Sequence, residues 1–118
     1  MTEPIKVFEM FSGYGGANFG LSKANIPHVC VGFSEIDKSA IECYKINFPK
    51  IKNYGDCTLI NVDDLPDFDL LTGGFPCLPF WVAGKHMGEL DISGTLFYDI
   101  IRIAEQKKPR FMLLENVK

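Results

Sequence analysis

The chain has four cysteines, Cys30, Cys43, Cys57 and Cys77, and no two of them form a C-x-x-C pair. Zinc modules depend on such spacing, so a zinc site is not expected. Basic charge is also scarce. Twelve Lys and Arg against fifteen Asp and Glu leave a formal net charge of −3. A free-standing nucleic-acid binder usually carries a basic footprint, so a nucleic-acid role would belong to one piece of a larger surface. No apolar run approaches the roughly 20 residues that span a bilayer. The opening Met1-Thr2-Glu3-Pro4 does not read as a secretory signal. Repeats, low-complexity tracts and linkers are missing as well. Together these absences predict one domain over residues 1–118, in a reducing cytoplasmic compartment with free thiols.

Hydrophobic residues make up 47% of the chain, enough for a core, and they fall into an ordered pattern. Ile5 to Phe11 predicts a strand that breaks into Ser12-Gly13-Tyr14-Gly15-Gly16, and Ala17 to Asn25 predicts a helix. Strand, glycine turn and helix together suit a phosphate or carboxylate loop, because glycine lets the backbone approach a ligand. The spacing departs from G-x-G-x-x-G, and a tight structural turn remains equally open. Val29 to Phe33 predicts a second strand, ending at Ser34-Glu35-Ile36-Asp37. A carboxylate there suits a ribose diol. Glu35 is assigned that role, and Asp37 is assigned the cap of a helix over Lys38 to Phe48. Ala40, Ile41, Tyr44 and Phe48 recur on one face of that helix, and Cys43, beside them, is expected to pack.

Ile51 to Tyr54 predicts a short third strand before Gly55-Asp56-Cys57. Asp56 is either an acceptor for an exocyclic amine or a turn aspartate. Phe68 to Leu71 predicts a fourth strand that stops at Gly73-Gly74 and delivers Pro76-Cys77-Leu78-Pro79, a stiff loop carrying one thiol. Trp81 to Ser93 predicts a loop. Thr95 to Lys107 predicts a helix capped by Thr95 or Ser93, with Leu96, Ile100, Ile103 and Ala104 inward and Arg102 outward. Phe111 to Leu114 predicts a fifth strand, followed by Glu115-Asn116. The alternation argues a parallel α/β sheet. Gly13, Glu35, Asp56, Cys77 and Glu115 all follow strand C-termini, the side on which such sheets bind ligands. A thiol and a carboxylate at one crevice suggest covalent catalysis on an electron-poor ring. A glutamate at a buried strand end could stay protonated to donate a hydrogen bond.

These residues resemble the cytosine-C5 DNA methyltransferases. Phe11-Ser12-Gly13-Tyr14-Gly15-Gly16 looks like the family's first motif, Ser34-Glu35-Ile36-Asp37 the second and Gly55-Asp56 the third. Gly73-Gly74-Phe75-Pro76-Cys77 matches the nucleophile motif. Gly94-Thr95-Leu96-Phe97-Tyr98-Asp99 matches the fifth, and Pro109 to Val117 the sixth. The resemblance implies a Rossmann-like sheet, incomplete at its C-terminal side, and S-adenosylmethionine over the glycine loop. Phe11, Ser12, Gly13, Gly15 and Gly16 would form that loop, with Phe11 on the adenine. Glu35 would hold the ribose and Asp56 the adenine amine, while Ile36, Cys57, Pro76 and Leu96 would line the pocket. Cys77 would attack C6 of a cytosine flipped out of double-stranded DNA, with Glu115 at N3 and the amine. A restriction-modification setting is implied.

Three positions depart from the family pattern. Leu78 stands for Gln, Trp81 for Ser or Thr, and Ser93 for Arg, all near the loop that would close on DNA. The family continues with further strands, an arginine-bearing motif, a DNA-reading domain and a final helix, none of which lies within these residues. The first expectation is therefore the N-terminal part of a methyltransferase, either completed by a second polypeptide or a truncated gene product. The alternatives are an inactive remnant that at most binds S-adenosylmethionine, and an RNA-directed relative. The Gly-Gly-Phe-Pro-Cys form looks more like the bacterial DNA enzymes.

Overall fold

The computed structural model describes residues 3–75 and 87–116. Four strands, β1 (Ile5–Met10), β2 (His28–Ser34), β3 (Leu70–Phe75) and β4 (Phe111–Asn116), form one sheet in the order β2-β1-β3-β4. Each neighbouring pair is parallel. The α-helices among the described residues are α1 (Gly16–Lys23), α2 (Lys38–Asn47) and α3 (Met87–Lys107). Strand order reverses at β1: the chain leaves it toward β2 and returns to its other side as β3. Ligands bind outside the strand C-termini at such a switch point.

The central strand β1 is buried from Val7 to Met10, so its side chains alternate into two interiors. Phe8 and Met10 join Leu71, Phe68, Ile100 and Ile103 in the main cluster. There Phe8 stacks on Phe68 at 5.4 Å and meets Tyr54 edge-on at 5.7 Å. Beneath α1 and α2, Phe33 stacks on Tyr44 at 3.8 Å. The register between β1 and β2 slips: Val7 opposes Cys30, yet Phe8 opposes Gly32. Val31 is the extra residue of a bulge. Its consequence is that Cys30 and Phe33, three apart, both reach Tyr44.

Several local expectations change. Ile51 to Tyr54 is not a strand; it makes one parallel bridge, Phe33 with Asn53. The Asn53 side chain bonds to the backbone of Glu35 and Gly55 instead, drawing this segment into a turn. The glycines do not end β3, which runs through Gly73 and Gly74 to Phe75. Residues 87–93, expected as loop, are helical, and Thr95 and Ser93 lie inside α3 rather than capping it. Gly88 and Gly94 each disfavour a helix by only about 1 kcal/mol, and no proline interrupts this stretch. Residues 81–86 of the expected loop lie outside the described residues. Cys43 is exposed rather than packed. α1 buries Asn18, while Phe19 stays partly exposed with its ring 5.0 Å from Phe48.

Candidate functional site

The turn after β1 is shaped by backbone that few side chains tolerate. Phe11, Gly13 and Gly15 have φ of 53, 58 and 102°, so even the phenylalanine is held in the left-handed region. A Cβ on Gly15 would sit 2.8 Å from the Phe48 ring, so glycine is needed there for close approach as well. Gly15 cannot cap α1 with a side chain. Glu9 does so from the preceding strand: its Oε2 accepts from the Asn18 amide at 3.3 Å.

Glu35 fastens this turn to the end of β2. Its Oε1 accepts from the Gly13 amide at 2.8 Å, and its Oε2 accepts from the amides of Ile36 at 3.1 Å and Asp37 at 3.0 Å. A carboxylate has about four acceptor sites, so one lobe of Oε1 remains for a ligand hydroxyl. Asp37 caps α2 as expected, accepting from the Ala40 amide at 2.9 Å.

A cavity of about 580 Å³ opens over the glycine turn. Phe11, Ser12, Gly13, Gly16 and Glu115, five of the residues singled out in the sequence, line it together with Glu9, Gly20 and Thr72. A Cβ on Gly13 or Gly20 would meet nothing within 4 Å, so both leave open space on the cavity side. Gly15, Glu35, Ile36, Asp56 and Cys57 are not part of this lining.

Asp56 stands at the start of the turn Cys57–Leu59, where its Oδ1 accepts from the amide and hydroxyl of Thr58 at 2.9 and 2.8 Å. It is therefore a turn aspartate by geometry, and its Oδ2 remains available among the described residues. The Ser34 hydroxyl donates to the Gly55 carbonyl at 2.6 Å, tying this turn to the end of β2. Cys57 is buried in the main cluster, and burial pushes its thiol up to about 11. Arg102, expected to face out, instead donates to the carbonyls of Ile60 at 2.9 Å and Cys57 at 3.0 Å, with Asp99 Oδ1 at 3.1 Å as its counter-ion. α3 thus braces the turn that carries Asp56.

Glu115 lies at the C-terminal end of β4 beside Gly74, where an added Cβ would press on Glu115 Oε1 at 3.2 Å. Gly74 therefore keeps room for that carboxylate. Glu115 is exposed, not buried as the strand-end argument supposed, because the neighbouring face of β4 is uncovered. Pro76, Cys77, Leu78 and Trp81 lie outside the described residues, as do the side chains of Ser93 and Leu96.

Glu9 was not foreseen. It is 1% exposed, yet it lines the cavity. The Tyr44 hydroxyl donates to its Oε1 at 2.5 Å, and Cys30 Sγ lies 3.5 Å away. Burial raises its pKa above the usual carboxylate range, opposed chiefly by the Tyr44 hydrogen bond. Burial also pushes Cys30 up to about 11 and raises Tyr44. The available signal was a lone acid within the apolar stretch that follows Lys6 in β1.

Comparison with known proteins decides what this arrangement belongs to. The family described as C-5 cytosine-specific DNA methylase matches residues 5–118. The chain belongs to that family. It is 44% identical to the type II methyltransferase M.NlaIV of Neisseria lactamica over 98% of this chain and 28% of the relative. It is 47% identical to M.NlaX of the same organism over 97% of this chain and 36% of the relative. Against M.HhaI of Haemophilus parahaemolyticus the identity is 42%, over 97% and 34%. Its fold is similar to the S. pombe Dnmt2 methyltransferase, with a TM-score of 0.75 and 27% identity over 97% of this chain and 34% of that one. This C5-methylase chain therefore spans about a third of the length of the relatives it matches.

Proposed function

We propose that this chain is the cofactor-binding and nucleophile-bearing part of a DNA cytosine-C5 methyltransferase, acting in the cytoplasm of a cell with a restriction-modification system. The observation that carries the reading is the family match across residues 5–118, on a chain whose cavity joins the glycine turn to Glu115. Open space beside Gly13 and Gly20, and spare acceptor lobes on Glu35 and Asp56, fit an adenosyl group bearing a diol and an amine. S-adenosylmethionine would supply an electrophilic methyl group. Phe11, Ser12, Gly13, Gly15 and Gly16 would cradle it, Glu35 would hold the ribose and Asp56 the amine. Ile36, Cys57, Pro76 and Leu96 would complete the pocket.

The reaction suits a base flipped from the duplex. The Cys77 thiolate adds to C6 of cytosine, forming an S–C6 bond and making C5 nucleophilic. Glu115 stabilises the charge that develops on the ring by hydrogen bonding at N3 and the amine. C5 would take the methyl as the sulfonium S–CH3 bond breaks to leave a thioether; a base would then accept the C5 proton as the S–C6 bond breaks and returns the Cys77 thiolate. A further polypeptide would cover β4 and supply DNA contacts, in keeping with the chain's −3 charge and its share of its relatives' length. Among the described residues no helix is long and apolar enough to cross a membrane.

The test is trapping. The chain, with the polypeptide that completes it, is incubated with S-adenosylmethionine and duplex DNA containing 5-fluorocytosine, which cannot lose a proton from C5. A covalent adduct that disappears in Cys77→Ser is expected. Folded protein that binds S-adenosylmethionine but forms no adduct would instead support an inactive binding remnant, a reading favoured by Leu78, Trp81 and Ser93.

A further inference from the structure

Methyl transfer changes the donor's charge. The sulfonium before reaction carries a positive charge that the thioether after it lacks, while the adenosine and amino-acid parts are identical. Apart from the methyl group itself, that charge is what a residue can use to tell donor from product. Resting on the reading of the cavity as the S-adenosylmethionine site, we propose that Glu9 is the specificity-determining residue that favours the cationic donor over the neutral product, S-adenosylhomocysteine.

Three observations carry this. First, Glu9 lines the cavity, and at 1% exposure its field is barely screened by solvent. Second, no Lys or Arg pairs with it: the ion pairs among the described residues join Arg102 to Asp99 and Lys107 to Asp67. Third, its hydrogen-bond donors are the Tyr44 hydroxyl, the Asn18 amide and the Cys30 thiol, which are neutral and favour the ionised form without cancelling its charge. The other carboxylates near the turn are less suited. Glu115 is exposed, and Glu35 already serves three backbone amides. Burial raises the Glu9 pKa, and a cation in the cavity works against that rise. The titratable groups facing Glu9 are Tyr44 from α2 and Cys30 from β2, with His28 one step removed, its Nε2 2.7 Å from Asn18 Oδ1.

The test measures affinity rather than turnover. S-adenosylmethionine and S-adenosylhomocysteine are titrated by calorimetry into the completed protein, wild type and Glu9→Gln. The donor-to-product affinity ratio is expected to fall about tenfold in Glu9→Gln, while product affinity changes less than about twofold. An unchanged ratio, or equal loss of both ligands, overturns the proposal and leaves Glu9 a structural cap. Failure of both ligands to bind folded wild type overturns the cofactor reading itself. If Glu9→Gln does not fold, Tyr44→Phe keeps the charge and removes one donor. Its ratio should match wild type at pH 9 and decline at a higher pH than wild type as the solution is acidified. Coincident profiles overturn the proposal.

Discussion

The two sides of the sheet are finished to different degrees. On the β2 side, Phe33 and Tyr44 are fully buried, and the buried carboxylate of Glu9 finds its donors within the chain. On the β4 side, Phe111 is 52% and Leu113 60% exposed, and Met112 and Leu114, which alternate to the other face, are exposed too. An edge strand with apolar residues bare on both faces offers an interaction surface. The cavity spans the boundary between the two sides, since its lining includes both Glu9 and Glu115. One wall is held by the chain's own hydrogen bonds, and the other stands at the open side.

The largest expected effect tests that asymmetry directly. Phe33→Ala removes a ring stacked on Tyr44 and should destabilise the chain by about 3–5 kcal/mol in denaturant titration. Leu113→Ala should cost less than about 0.5 kcal/mol in the same assay, because its side chain is already mostly in water. Where the proposed further polypeptide covers β4, the cost of the Leu113 substitution should rise toward about 2–5 kcal/mol as the site becomes buried. Equal costs for the two substitutions in the chain alone would break the comparison.

Two glycines sharpen it at the next level. Gly15→Ala forces a Cβ into positive-φ backbone and to 2.8 Å from the Phe48 ring, on the closed side. It should cost about 1–3 kcal/mol of stability and weaken S-adenosylmethionine binding with it. Gly74→Ala brings a Cβ to 3.2 Å from the flexible end of Glu115, on the open side. It should leave the denaturation midpoint within about 0.5 kcal/mol and lower adduct formation on 5-fluorocytosine DNA instead. A large stability loss at Gly74 would mean that the open side is packed after all.

The same division explains what could be read from the residues alone. The glycine turn and the Asp37 cap were legible because their signals are local: a run of glycines, and an acid before a helix. The sheet followed from alternating strands and helices. The Glu9 arrangement was not legible, because it depends on a bulge at Val31 that aims Cys30 and Phe33 the same way, and on Tyr44 reaching across from α2. Arg102 was read as outward from helical periodicity, which knows nothing of the carbonyls of Cys57 and Ile60 some forty residues away. Residues 87–93, expected as loop, are helical because a long helix absorbs Gly88 and Gly94. Glu115 was assigned a buried setting by its place at a strand end, and only the uncovered face of β4 exposes it.

The smallest effect concerns the thiols, of which Cys30 reports how closed the β2 side is and Cys57 how closed the main cluster is. Cys30 and Cys57 are each pushed up to about 11 from an ordinary value of 9.0, first of all by burial. Their folded pKa lies above the unfolded one, so the folded state holds these protons more tightly. The stability this contributes is fully present below pH 9 and is lost as pH rises from 9 to 11. A loss of about 1 kcal/mol per thiol is expected in unfolding free energy between pH 9 and pH 10, with Tyr44 acting in the same direction. Alkylation gives a second measure in a Cys77→Ser background. At pH 8 only about a thousandth of a thiol with pKa near 11 is thiolate, so iodoacetamide should label exposed Cys43 first, with Cys30 and Cys57 reacting only as the fold opens. Labelling of Cys30 at the rate of Cys43 would show that the wall behind Glu9 admits solvent, and the contrast between the two sides of the sheet would then be one of degree only.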